Sequence, residues 1–205
     1  VGINAGFSLT FMGNTHYAIE DMGIIRCIPG MTIISPSDAG QALKAFYASW
    51  TLNKPVYIRF TGGLNCPVIY EQEFNYQIGK GIRLREGNQI QIIATGSMVD
   101  RALKAAKILE EKGISVDVVD MHTIKPLDTD ILKKDVKLVV SVEEHSIIGG
   151  LGSAIAEALS TYSVHAPLLR LGIGDYFSQV GEYEYLLEQH GLSPEHIANT
   201  IENNL

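Results

Sequence analysis

The chain of 205 residues contains only two cysteines, Cys27 and Cys66. They have no metal-ligand spacing and no partner cysteines, so neither a zinc centre nor a disulfide framework is expected. No apolar run approaches the ~20 residues that cross a bilayer. No charged-then-apolar leader opens the chain, whose first residue is Val1, so both cysteines are expected to be reduced thiols in a cytoplasmic protein. Basic charge is also scarce: 16 Lys and Arg stand against 23 Asp and Glu, a net charge of −7. That argues against nonspecific nucleic-acid binding, which needs a basic face to release counterions. A small anion remains admissible, because two local cations can hold a phosphate inside an acidic protein. Short-period repeats and low-complexity tracts are missing too.

Alternating strands and helices are plentiful. Ile28 to Ser35 reads as a short apolar strand after a Pro-Gly turn. Ser35-Pro36-Ser37-Asp38 then offers a cap, a first-turn proline and a capping-box carboxylate. The helix beyond carries Ala42, Leu43, Phe46 and Trp50 at helical spacing. Pro55 to Phe60 is the next strand, and strand-helix-strand demands a parallel sheet. Residues 61–88, with Gly62-Gly63, Asn65, Pro67, Gly79, Gly81 and Gly87, break the rhythm. Short strands are expected there around Ile78 to Leu84. A second alternating set follows: a buried strand Ile90–Ala94, a helix Met98–Lys112 capped by Ser97 and stopped by Gly113, strands at 116–119, 136–142 and 168–171, and helices at 131–134 and 149–159. The expected fold class is α/β with two doubly wound domains, residues 1–70 and 89–205, joined by a linker at 71–88.

Ligands of open parallel sheets bind beyond the carboxyl ends of strands. In the first domain this singles out the segment Gly13 to Arg26, and Arg59 at a strand end. With Asn14 or Thr15 as a helix cap, His16 would lie in a first helical turn, where the dipole disfavours the imidazolium. A neutral imidazole can hydrogen-bond a substrate hydroxyl or shuttle a proton, and Glu20, one turn later, is placed to orient it. Read from chemistry alone, a capping or packing histidine fits better. A surface or salt-bridge role fits Arg59 better than ligand binding.

Thr15-His16-x-x-Ile19-Glu20-Asp21, then Arg26, Ile28-Pro29-x-Met31 and Pro36-x-Asp38, resembles the pyrimidine-binding domain of transketolases. Ala94-Thr95-Gly96-Ser97, Val142-Glu143-Glu144-His145, Gly149-Gly150-Leu151-Gly152-Ser153-Ala154 and the Gly172-Ile173-Gly174-Asp175 tail resemble the carboxy-terminal domain of the same family. The match runs in one order over nearly the whole chain. The resemblance implies transfer of a two-carbon ketol unit between sugars on thiamine diphosphate with a divalent cation such as magnesium. His16 then matches the histidine that contacts the reacting substrate oxygens, and Arg59 the arginine that binds a substrate phosphate. Two positions depart from the pattern of sugar-phosphate transketolases: Asn4 stands where they carry a phosphate-binding His, and Met12 where they carry a hydroxyl-reading Asp. A less phosphorylated or otherwise modified sugar is the expectation.

The resemblance also marks what this stretch does not match. The family's cofactor-activating Glu, a stacking aromatic residue and the diphosphate and metal ligands precede the matched stretch. Cofactor and cation are thus expected to be held mainly outside this chain, by an amino-terminal transketolase subunit or across a homodimer. Deoxyxylulose-phosphate synthase, which shares Thr-His and Arg-Cys-Ile-Pro, is the nearest enzymatic alternative; a noncatalytic interaction module of the same fold is the other. Gly150-Leu151-Gly152 begins like a dinucleotide fingerprint, but Ile155 occupies its last small-residue position, and close strand-to-helix packing explains it better. Glu143-Glu144-His145 reads as a strand-end loop at a domain or subunit interface. His122, His165, His190 and His196 read as structural or solvated.

Overall fold

A computed structural model of the chain describes residues 4–62 and 66–205. Gly63 and Asn65 of the expected linker break, and Val1, lie outside the described residues. The first section holds a 3-10 turn Thr10–Thr15, α1 Asp21–Arg26, β1 Thr32–Ile34, α2 Ala39–Trp50 and β2 Val56–Ile58. The second holds β3 Ile82–Arg85, β4 Ile90–Ala94, α3 Met98–Glu111, β5 Val116–Asp120, β6 Thr123–Lys125, a 3-10 turn Asp130–Lys133, β7 Leu138–Ser146, α4 Leu151–Leu159, β8 Leu168–Ile173, α5 Tyr183–Gln189 and α6 Pro194–Glu202.

The larger sheet has the order β3-β5-β4-β7-β8. Its four inner and distal strands run parallel, and β3 is the antiparallel edge. β4, β5 and β7 are buried along their whole length, as helix-covered parallel strands must be. The strand expected in the linker therefore belongs to this second sheet. The smaller sheet is β2-β1-β6, and β6 comes from the second section, antiparallel to β1. The seam is hydrogen-bonded as well: Ser35 N donates to His122 O at 2.7 Å, and Gly96 N to Ser35 O at 3.2 Å. The cores are shared in the same way. Phe7, Tyr17 and Ile19 pack with α3 and α6, while Met22 and Ile33 pack with Val119, Met121 and Leu151. The two sections thus share a sheet and both hydrophobic clusters.

Two caps differ from expectation. α2 starts at Ala39, with Asp38 as its cap: the carboxylate accepts from Gln41 N at 2.7 Å and, through its other oxygen, from Ile69 and Tyr70 N at 2.9 Å each. Ser35 lies buried upstream, because the cap that also anchors the linker prevails. α3 begins after Ser97 as expected, but the Ser97 hydroxyl does not cap it; it is drawn to Glu144 instead.

The helical periodicity of α2 is real, yet it faces outward. Leu43, Phe46, Tyr47 and Trp50, at the i, i+3, i+4, i+7 positions of one stripe, are exposed, Trp50 to 80%. Gln41 and Ala45 take the buried face. No helix among the described residues is long and apolar enough to cross a membrane.

Candidate functional site

The backbone around His16 is set by close pairing. Gly6 exchanges two hydrogen bonds with Ala18, Gly6 N to Ala18 O at 2.8 Å and Ala18 N to Gly6 O at 3.3 Å, and Ala5 N reaches Phe60 O at 3.0 Å. This lays the Asn4–Phe7 segment beside the run 16–19 at the end of β2. Asn4 and His16 are exposed on these two segments, and Met12 and Thr15 are exposed on the turn that precedes His16; Asn4 adopts φ 59°, a left-handed conformation that asparagine tolerates. Asn4 and His16 thus belong to two segments that are hydrogen-bonded to one another.

His16 does not open a helix. It follows the 3-10 turn Thr10–Thr15, and α1 begins only at Asp21. The dipole argument for a neutral imidazole therefore has no helix to act through. Nor does Glu20 orient the ring; its Nδ1 lies 2.9 Å from Thr15 Oγ1. The turn itself is pinned from the carboxy-terminal tail: Asn14 Nδ2 donates to Ser178 O at 2.6 Å, and the Tyr17 hydroxyl to Thr10 O and Gln179 O at 2.7 and 3.1 Å.

Arg59 is placed differently from the expected phosphate fork. Its side chain is 1% exposed. Nε donates to Asp21 Oδ2 at 2.7 Å, and Nη2 to Ala18 O and Glu144 O at 3.1 and 3.0 Å. A guanidinium taken out of water needs a carboxylate and filled donor positions, and Asp21 supplies the first. Burial pushes Asp21 up, but Arg59, His145 and the Tyr57 hydroxyl outweigh it and hold the carboxyl below its usual range. Arg59 and His16 therefore do not meet in one open cleft; Arg59 is an internal strut under the backbone that carries His16.

Sequence reading underrated β7. Glu143, Glu144 and His145 form no loop: they end this strand and are fully buried at the junction of the two sections. Glu144 Oε1 accepts from Phe7 N at 2.7 Å; Oε2 accepts from the hydroxyls of Tyr183, at 2.6 Å, and Ser97. Burial raises its carboxyl, while these donors and Arg59 pull it back. Glu143 accepts from Leu151 N and Gly152 N at 2.6 and 2.8 Å, so a protein carboxylate fills the α4 N-terminus. A Cβ on Gly150 would lie 2.0 Å from that carboxylate. The glycines thus serve packing, not a dinucleotide, and burial pushes Glu143 up to about 7. Burial and the charge of Arg59 depress His145 to about 4. Its Nδ1–H donates to Ser146 O at 2.7 Å, which leaves Nε2 to accept from Gly23 N at 3.3 Å.

A second buried group stands at the end of β5. Asp120 Oδ2 accepts from Ser37 Oγ, Gln41 Nε2 and Tyr70 OH at 2.7 to 2.8 Å, while Oδ1 has no partner. Burial lifts this carboxyl to about 6. His122 is buried against Tyr76, ring centroids 4.3 Å apart, and burial lowers it to about 4. Among the described residues no cluster of His, Cys, Asp and Glu is arranged to hold a metal ion. Two buried carboxylates of this region are already used: Asp21 by Arg59, Glu144 by backbone and hydroxyls. The described residues do not form a cradle for a diphosphate and its cation.

With this geometry established, the likeness to known proteins is specific. Residues 1–66 match the model of the transketolase pyrimidine-binding domain, and 79–197 that of the transketolase C-terminal domain. A protein of Methanocaldococcus jannaschii named for a transketolase C-terminal section is 42% identical over 203 residues, covering 98% of this chain and 64% of that protein. A 6-deoxy-6-sulfo-D-fructose transketolase subunit of Clostridium sp. is 41% identical, covering 96% and 62%. A 1-deoxy-D-xylulose-5-phosphate synthase of Caldanaerobacter subterraneus is 38% identical, covering 92% of this chain but 31% of that enzyme. Among solved structures, a split-gene transketolase described as an inactive beta4 tetramer superposes with TM-score 0.84 at 35% identity, covering 98% of this chain and 63% of that one. The chain spans under two thirds of each of these relatives.

Proposed function

As the chain belongs to the transketolase family, we propose that it is the carboxy-terminal section of a transketolase that transfers a two-carbon ketol unit between sugars and needs an amino-terminal section to do so. The ordered match of both domain models, against relatives that extend well beyond this length, carries the reading. The outward apolar stripe of α2 supports a partner chain, because a surface of Leu43, Phe46, Tyr47 and Trp50 on a charged protein is what an interface leaves bare. Thiamine diphosphate supplies the carbanion-stabilising chemistry in this family, with a divalent cation on its diphosphate. Both are assigned here to the partner, since the described residues offer no cradle for them.

On this chain His16 is proposed to hydrogen-bond a substrate hydroxyl, with Thr15 fixing its ring, and Asn4 and Met12 to face the sugar chain. A neutral carboxamide and a thioether in these places favour a sugar whose far end is not an ordinary phosphate ester. A relative named for a sulfo-sugar agrees with that. A deoxyxylulose-phosphate synthase reading is the enzymatic alternative.

The test is assembly. Mixed with its amino-terminal section, the chain should show thiamine-dependent ketol transfer; alone it should show no turnover and no stoichiometric cofactor binding by calorimetry. His16→Ala, an exposed site, should cost about tenfold in kcat/KM, the worth of one hydrogen bond, without altering the melting temperature. Turnover by the isolated chain would refute the proposal, and pyruvate in place of a ketose donor would support the synthase. Phe46→Ser with Trp50→Ser should weaken assembly at least tenfold by sedimentation while the isolated chain melts within about 2 °C of wild type. Unchanged assembly would remove α2 from the interface.

A further inference from the structure

The carboxylate of Glu144 lies against the backbone of Gly6 and Phe7. Oε1 takes the Phe7 amide at 2.7 Å. There is no room for any side chain at Gly6, where a Cβ would stand 2.2 Å from Oε1. Two hydroxyls from separate elements, Ser97 after β4 and Tyr183 at the start of α5, converge on Oε2 and fix the orientation of the group. The main chain of the same strand holds the other side of the surface: Glu144 O accepts from Arg59, and Ser146 N donates to Ile19 O at 2.7 Å. Gly6 and Ala18 close the circuit by pairing with one another. One strand end of the second section therefore sets both segments that carry Asn4, Thr15 and His16.

We propose that Glu144 is a positioning residue for the substrate end of this surface, acting through the Phe7 amide to fix where Asn4 stands relative to His16. The inference rests on the transketolase reading above. A buried carboxylate is an expensive way to fill space, since an apolar side chain of similar volume is usually no worse for stability; a fixed acceptor for a backbone amide is something only a polar group provides. Loss of such a fixture displaces binding groups without touching the reacting atoms, so it should raise KM more than it lowers kcat.

The experiment uses Glu144→Met, which removes the acceptor and keeps most of the volume, and Tyr183→Phe; the second leaves the carboxylate in place and removes only one donor. Two readouts are taken. In the isolated chain, residue-resolved hydrogen exchange should quicken at the Phe7 amide at least tenfold in Glu144→Met and less in Tyr183→Phe, with protection in β4 and β7 kept. In the complex with the amino-terminal section, KM for the sugar should rise about tenfold in Glu144→Met and severalfold in Tyr183→Phe, with kcat within about twofold. A faster Phe7 amide with KM unchanged, or Tyr183→Phe indistinguishable from wild type in both readouts, overturns the proposal. If the wild-type complex itself shows no ketol transfer, the functional reading fails, and the exchange measurement alone still decides whether Glu144 fixes the segment.

Discussion

Arg59→Met is expected to destabilise the chain by about 3–5 kcal/mol in chemical denaturation. The substitution keeps most of the volume but deletes the Nε donor to Asp21 and the Nη2 donor to Ala18 O and Glu144 O. Asp21, 12% exposed, would be left with only the Tyr57 hydroxyl and a carboxylate charge facing a largely dry site. A fork held open for a ligand would behave otherwise, since removing a solvent-facing charge shifts stability by about 0.5 kcal/mol at most. A double variant sharpens the distinction. Arg59→Met with Asp21→Asn removes both charges, so at least half of the lost stability should return, because the penalty lies mostly in the unpaired partner. A single variant as stable as wild type would show that the guanidinium is not a strut.

The second large effect is a gain. Asp120→Asn should stabilise the chain above pH 6 by roughly 1–3 kcal/mol, and the gain should vanish as the pH falls to 4. The sign follows from the carboxyl, which burial lifts from 3.8 to about 6. The folded state holds a proton there that the unfolded state has released, so the group is neutral and without penalty below pH 3.8. Its favourable contribution is lost as pH rises through 6; the full difference corresponds to about 3 kcal/mol. An asparagine oxygen can still take the Ser37, Gln41 and Tyr70 donors, while its amide nitrogen lands where Oδ1 has no partner, which trims the gain. His122 and His145 tilt the wild-type curve the other way. They are held neutral in the fold to about 4, so they cost stability as pH falls from 6.5 toward 4. Comparing variant with wild type at each pH cancels these histidines and isolates Asp120. A constant difference from pH 4 to 8 would exclude an ionisation origin.

Much of this was legible in the chain. The run Ile90–Ala94 read as a buried strand and is one, and Gly113 stops α3 with φ 78°. The motif singled out Thr15 and His16, and both are exposed. What failed were inferences that needed a partner. Glu20 looked like the orienter of His16 by helical spacing, but the helix starts later and Thr15 does that work. Glu144 was read as part of an interface loop; it does stand where the two sections meet, but it lies in a strand, and its partner Phe7 is 137 residues away in sequence, a contact that no local pattern encodes. Tyr183, which orients Glu144, offered no signal at all.

Local periodicity and capping chemistry in this sequence were enough to determine the α/β order of its elements, and its ordered motifs were enough to place it in its family, because both are written in neighbouring residues. Only the tertiary structure decided that the apolar stripe of α2 faces outward, that Arg59 is an internal strut and that Asp120, Glu143 and Glu144 lose their water. Those outcomes depend on which distant groups close over a side chain, and burial is a property of the whole fold rather than of any stretch of it.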